Sequence, residues 1–187
     1  MEARSMLICI VFACDLIACC HCNYYSKTSP YTPPAQKITH LHFFFHDTIS
    51  GKSPSAIKVA HPSFPTAFND TPGPFGSVFV INDPVTVGPE KTSQVIGSAQ
   101  GVWVSTGQEM LELVVTMDIG FTYGEFNGSS ISLMSRNPIA LNQRELPIVG
   151  GRGKFRMARG FANLTTRFFD HVKGDAMVEY HVTVIHY

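Results

Sequence analysis

Apolar side chains recur at every second position along most of this chain, and no stretch carries a long 3.6-residue apolar period. In Leu111–Thr122 the odd positions Leu111, Leu113, Val115, Met117, Ile119 and Phe121 are all apolar, with Asp118 on the opposite, polar side. In Ala176–Tyr187, Val178, Tyr180, Val182 and Val184 share one face, and Glu179, His181 and Thr183 the other. A period of two is that of a strand with one buried face. Eight strand-like runs are predicted: Ile38–Thr48, Ser77–Asn82, Gln94–Thr106, Leu111–Thr122, Ser129–Met134, Glu145–Val149, Lys154–Thr166 and Ala176–Tyr187. Turn signals separate them, among them Ser50-Gly51, Pro72-Gly73-Pro74, Gly88-Pro89, Asn127-Gly128, Gly150-Gly151 and Lys173-Gly174-Asp175. Short strands at close spacing predict an all-β fold, either a closed antiparallel barrel or a sandwich. Pro54–Pro74 is a long Pro-rich connection, expected to be a functional loop rather than regular structure.

The two ends of the chain read differently. Residues 1–22 have a basic start at Arg4, an apolar run over Met6–Cys14 and small residues around Ala18, the pattern of a secretory signal peptide. The run is too short to span a bilayer, so no membrane anchoring is expected. Residues 23–37, with Pro30, Pro33 and Pro34, read as a flexible arm, leaving 38–187 as one domain. All 5 cysteines (Cys9, Cys14, Cys19, Cys20, Cys22) fall in the first segment, so the exported domain is expected to lack an internal disulfide and any thiolate chemistry. Three N-x-S/T sequons begin at Asn69, Asn127 and Asn163 and predict glycosylation; Pro72 after the first hinders its use. With 14 basic and 14 acidic residues the net charge is zero, which argues against a nucleic-acid partner.

The strand phases single out a few residues. Asp47 falls in phase with Leu41, Phe43 and Phe45, a face where a carboxylate loses hydration and favours its protonated form. It is a candidate general acid; equally, the strand can end at His46 and leave Asp47 as a turn cap. Gly97, Ala99 and Gly101 share the face of Trp103, leaving space either for a ligand or for close backbone packing. Trp103 is then a cavity wall or a core side chain. Arg144 by itself reads as a surface arginine. Arg152, Lys154 and Arg156 alternate as along one strand face, a solvated stripe or a contact for acidic polymers. His40 and His42 have i, i+2 metal spacing, but no carboxylate stands at a matching offset, so no metal site is expected. With no nucleotide motif either, no cofactor is expected.

The segments His42-Phe43-Phe44-Phe45-His46-Asp47, Ala99-Gln100-Gly101 and Val149 through Gly160 (VGGRGKFRMARG) strongly resemble plant dirigent proteins, as does the ending Gly174–Tyr187. The resemblance runs in family order over residues 38–187. It implies an eight-stranded antiparallel β-barrel, usually a homotrimer in the apoplast, with an internal pocket for phenolic small molecules. It implies stereoselective chemistry on phenoxy-radical or quinone-methide intermediates. One route is guided coupling of coniferyl alcohol radicals to lignans, the radicals being made by an external oxidase. Another, in the pterocarpan synthase subgroup, is dehydration of a hydroxyisoflavanol with ring closure. A third is binding of phenolics in the cell wall without turnover. Asp47 matches the aspartate of the family's F-H-D motif, Arg144 its arginine upstream of V-G-G, and Thr166 its threonine after M-A-R-G; these three are the implied catalytic set. Phe45, Trp103 and Asn137 are the implied substrate-binding set. Asn137 stands where lignan-type members carry a second pocket aspartate, and Val102-Trp103-Val104-Ser105 stands where they carry aromatics. Asn can hydrogen-bond but supplies no titratable proton. That departure favours the one-acid dehydration.

Overall fold

A computed structural model of the protein describes residues 25–187. The chain divides into residues 1–34 and 35–187. In the first unit only residues 25–34 are described, and they contain no strand. The signal-peptide assignment and all the cysteines lie outside the described residues.

The second unit is built almost wholly of strands: β1 (Lys37–Asp47), β2 (Ala56–Ala60), β3 (Val78–Thr86), β4 (Val95–Ser105), β5 (Leu113–Phe121), β6 (Ser130–Asn137), β7 (Gln143–Arg152), β8 (Arg159–Phe169) and β9 (Ala176–His186). From β3 to β9 each strand pairs antiparallel with the next. β9 returns along the whole of β1, from Lys37↔His186 to Asp47↔Ala176. β1 then meets β3 at Phe44↔Thr86 and Phe45↔Val85, which closes eight strands into a barrel. Closure removes the open sheet edges that would otherwise invite aggregation.

The ninth strand corrects the sequence reading. Ala56–Ala60 lies inside the stretch expected to be irregular, yet it pairs with Val78–Ile81 of β3. β1 covers the free edge of β3 only at Val85 and Thr86, so the remaining backbone N–H and C=O groups need another partner, and β2 supplies it. Pro84 falls in the gap between these two pairings, where its missing N–H costs no ladder bond on that edge. For that reason β3 runs on through Asp83 and Pro84 to Thr86 instead of stopping at Asn82. A second correction concerns the basic stripe. Lys154 sits in a 3-10 turn, Gly153–Phe155, opened by Gly153 at φ +65°, and β8 begins only at Arg159. Arg152, Lys154 and Arg156 therefore do not share a strand face.

Alternation fills the interior as the pattern implies. Phe43, Phe79, Ile119, Ile131, Leu133, Leu146, Leu164, Val182 and Val184 are buried almost completely. Each such side chain contributes roughly 1.5–3 kcal/mol of burial. One part of the interior is occupied by edge-on aromatics, with Phe43 and Phe155 each 6.0–6.1 Å from Phe121. The polar inward residues lie elsewhere along the strands, and there the barrel is hollow.

Candidate functional site

The hollow is a cavity of about 620 Å³. Its walls are mostly apolar (Ile81, Leu113, Val115, Met117, Val178), and a few polar side chains project among them. Asp47, Arg144, Thr166, Phe45, Trp103 and Asn137 all line it, drawn from β1, β4, β6, β7 and β8. Thr71, Pro72 and Gly73, from the connection between β2 and β3, complete one wall. Gly73 fits there because it has no side chain: a Cβ would stand 3.1 Å from the Trp103 ring.

Trp103 is both a wall and a packed side chain, stacked on Phe79 at 3.8 Å between centroids. The small residues beside it do not widen the cavity. A Cβ on Gly97 or Gly101 would come within 2.1 Å of the Gly120 or Thr116 carbonyl oxygen of β5. They are small because the backbones of β4 and β5 approach closely.

Asp47 ends β1 facing the interior. Its Oδ1 is buried without a hydrogen-bond partner, and so is Nε1 of Trp103. Burial pushes the Asp47 pKa up, the nearby Asp175 charge adds to this, and the Trp103 indole N–H draws it partly back without forming a well-aligned bond. Asp175 itself is held ionised. Burial alone would raise it, but the Ser50 hydroxyl and the Ser50 and Ile49 backbone N–H groups all donate to it at 2.7–2.9 Å and lower it.

A second buried acid, Asp83 of β3, was not singled out from the sequence. Phe79, Ile81, Asp83 and Val85 are in phase and all buried, so the period-two signal was present, but the strand expected from the sequence stops at Asn82, one residue short. The Ser55 hydroxyl donates to Asp83 Oδ1, while Oδ2 has no partner. Burial raises the Asp83 pKa, the Asp47 charge raises it further, and the Ser55 bond offsets part of the rise. Two coupled carboxyls in a dry interior do not both ionise near neutral pH, so the pair retains a proton.

Asn137, Arg144 and Thr166 form one polar unit. Arg144 Nε donates to Asn137 Oδ1 at 2.6 Å, and Nη1 donates to Thr166 Oγ1 at 2.7 Å and to the Leu141 carbonyl at 3.2 Å. The surface reading of an isolated Arg144 is thereby corrected: its inward position in β7 places the guanidinium on the cavity wall. Burial lowers its pKa, yet a guanidinium stays charged throughout the physiological range. No carboxylate lies within ion-pair distance of it among the described residues, so the cavity holds an uncompensated cation. Tyr180, also on the wall and also missed, has its pKa raised by burial, which keeps its hydroxyl neutral.

The sequon residues Asn69, Asn127 and Asn163 are all exposed. Asp118, read from the sequence as an ordinary solvated aspartate, is half-exposed and accepts from Ser132 Oγ at 2.8 Å.

The closed antiparallel barrel thus encloses an apolar cavity that holds a buried acid and a guanidinium without a carboxylate partner. The sequence profile of the family described as "Dirigent-like protein" matches residues 38–185. The chain is 48% identical over 171 residues to Dirigent protein 15 of Arabidopsis thaliana, covering 89% of this chain and 90% of that one. It is 45% identical to Pterocarpan synthase 1 of Glycyrrhiza echinata, covering 100% and 99% of the two chains. A solved pterocarpan synthase dirigent protein superposes with a TM-score of 0.81 at 44% identity, over 87% of this chain and 99% of that one. This chain belongs to the dirigent-like protein family, and it has that family's eight-stranded barrel.

Proposed function

We propose that this protein dehydrates a hydroxyisoflavanol and closes the ring to a pterocarpan, acting without an oxidase. The observation that carries the reading is the pairing, within one cavity, of a buried carboxyl at Asp47, whose pKa burial raises, with a guanidinium at Arg144 that has no carboxylate partner. The full-length similarity to pterocarpan synthases supports it. Loss of a benzylic hydroxyl needs a proton donor at the leaving oxygen and stabilisation of negative charge on the phenol that expels it. The phenol that expels the hydroxyl binds as its phenolate against Arg144, its proton left to solvent and regained from solvent when the product leaves; Asp47 donates its proton as the C–O bond breaks and water leaves. The resulting quinone methide is attacked by the substrate's second phenol oxygen. The new C–O bond forms, and that phenol's proton returns to Asp47. Trp103 and Phe45 hold the rings flat, so that one face is presented to the attack.

The second reading, guided coupling of coniferyl alcohol radicals made by a separate oxidase, draws support from the similarity to Dirigent protein 15. Purified protein given a hydroxyisoflavanol alone is expected to yield one pterocarpan enantiomer by chiral chromatography. A one-handed lignan from coniferyl alcohol plus oxidase, with the isoflavanol untouched, would establish the second reading instead.

The reading includes export through the N-terminal segment, glycans on the exposed sequons and assembly as a homotrimer. Protein recovered from plant cells is expected to lack the first 18 or so residues, to shift on deglycosylation, and to scatter light as three chains. An intact N-terminus on unglycosylated protein would contradict export.

A further inference from the structure

The outer face of the barrel carries a side-chain cluster that the chemistry above does not use. His42 of β1 and His181 of β9 are direct cross-strand partners, with rings stacked at 4.4 Å and 11°. Both Nε2 atoms turn toward one oxygen, Oε1 of Glu179, at 2.7 Å from His42 and 3.4 Å from His181. The sequence showed histidine spacing without a carboxylate. The fold supplies that carboxylate from β9, and it pairs His42 with His181 rather than with His40.

We propose that His42, Glu179 and His181 form a binding site for a borderline divalent cation of the Zn²⁺ type. Their ligand atoms lie within 4.8 Å of one another. Tetrahedral ligands around Zn²⁺ stand roughly 3.3 Å apart, so the His181–Glu179 separation already fits, while His42 must withdraw and the two stacked rings must turn until their Nε2 lone pairs converge. Two imidazoles and one carboxylate leave a fourth position for water, and the side chains of His42 and His181 are 48% and 57% exposed, which keeps it open. Glu179 is only 10% exposed and is fixed from behind: Arg167 Nε donates to its other oxygen, Oε2, at 2.7 Å. That bond orients the carboxylate with Oε1 turned to the two imidazoles, as outer partners of metal ligands do. The nitrogen-rich set disfavours Mg²⁺ and Ca²⁺, which prefer oxygen donors.

Titration of the folded protein with ZnCl₂, followed by calorimetry and by the imidazole Cε1–H resonances, tests this. One saturable Zn²⁺ per chain is expected, with the His42 and His181 resonances moving together and that of His40 staying put. MgCl₂ should produce neither effect. His42→Gln and His181→Gln should each weaken Zn²⁺ binding at least about 10-fold with the circular dichroism of the barrel unchanged. If His42→Gln fails to fold, the more exposed His181→Gln decides. Absence of saturable Zn²⁺ binding, or equal affinity in the folded variants, would overturn the site.

Discussion

Asp47→Asn is expected to lower the rate of ring closure by about 10²–10⁴-fold, the usual contribution of a positioned acid. The amide keeps the shape of the side chain and removes the proton. The same substitution should not weaken the fold. The folded Asp47 pKa is raised by burial and by Asp175, so the protonated carboxyl is the form the barrel favours. The stability it contributes is fully present below the unfolded carboxylate value, about 4, and is lost as pH rises through the raised folded value. Asp47→Asn escapes that loss, so its melting temperature should match the parent in acid and exceed it in mild alkali. Asp83 obeys the same sign, and Asp83→Asn should also melt higher in alkali. It does not line the cavity, so it should keep most of the turnover. Full turnover by Asp47→Asn across the pH range would contradict the acid role.

Arg144→Leu should cost about 10²–10³-fold in rate, the scale for losing a preorganised charge at a developing oxyanion. It also strands Asn137 Oδ1 and Thr166 Oγ1, each of which has its hydrogen bond from this guanidinium. Arg144→Lys keeps the charge but not the planar fork that reaches both partners at once. It should therefore recover part of the rate while losing enantiomeric selectivity. The measurement is turnover with chiral analysis of the product, and a Leu variant within a few-fold of the parent in both would show that Arg144 only packs.

Much of this was legible in the alternation of side chains. The phase of Leu41, Phe43, Phe45 and Asp47 offered an inward carboxylate with a turn cap as the equal alternative, and the odd positions of Leu111–Thr122 gave one barrel wall. What stayed hidden depended on partners far along the chain. Ala56–Ala60 is too short and too near prolines to read as a strand, and it is one because β1 leaves an edge of β3 bare. Asp83 lies one residue past the expected end of its strand, which runs on because Pro84 falls between two pairings. Arg144 and Thr166 had no pattern of their own. The resemblance to the family pointed to them, and the ladder from β6 to β8 joins them to Asn137. The glycines near Trp103 were ambiguous for the same reason, since whether a missing side chain makes room for a ligand or for a neighbouring backbone depends on β5.

Asn137 is what leaves the Arg144 cation without a carboxylate partner, so that Asp47 is the one acid on the cavity wall. Asn137 Oδ1 lies 2.6 Å from Arg144 Nε, so a carboxylate introduced there would sit in direct contact with the guanidinium and stay ionised. The decisive measurement is Asn137→Asp assayed beside the parent, with a hydroxyisoflavanol alone and with coniferyl alcohol plus oxidase, both read by chiral chromatography. The expected result is ring closure slowed by at least about 10-fold, because the cation is now neutralised, with handedness appearing in the coupled lignan. Ring closure at the parent's rate and handedness would contradict the claim.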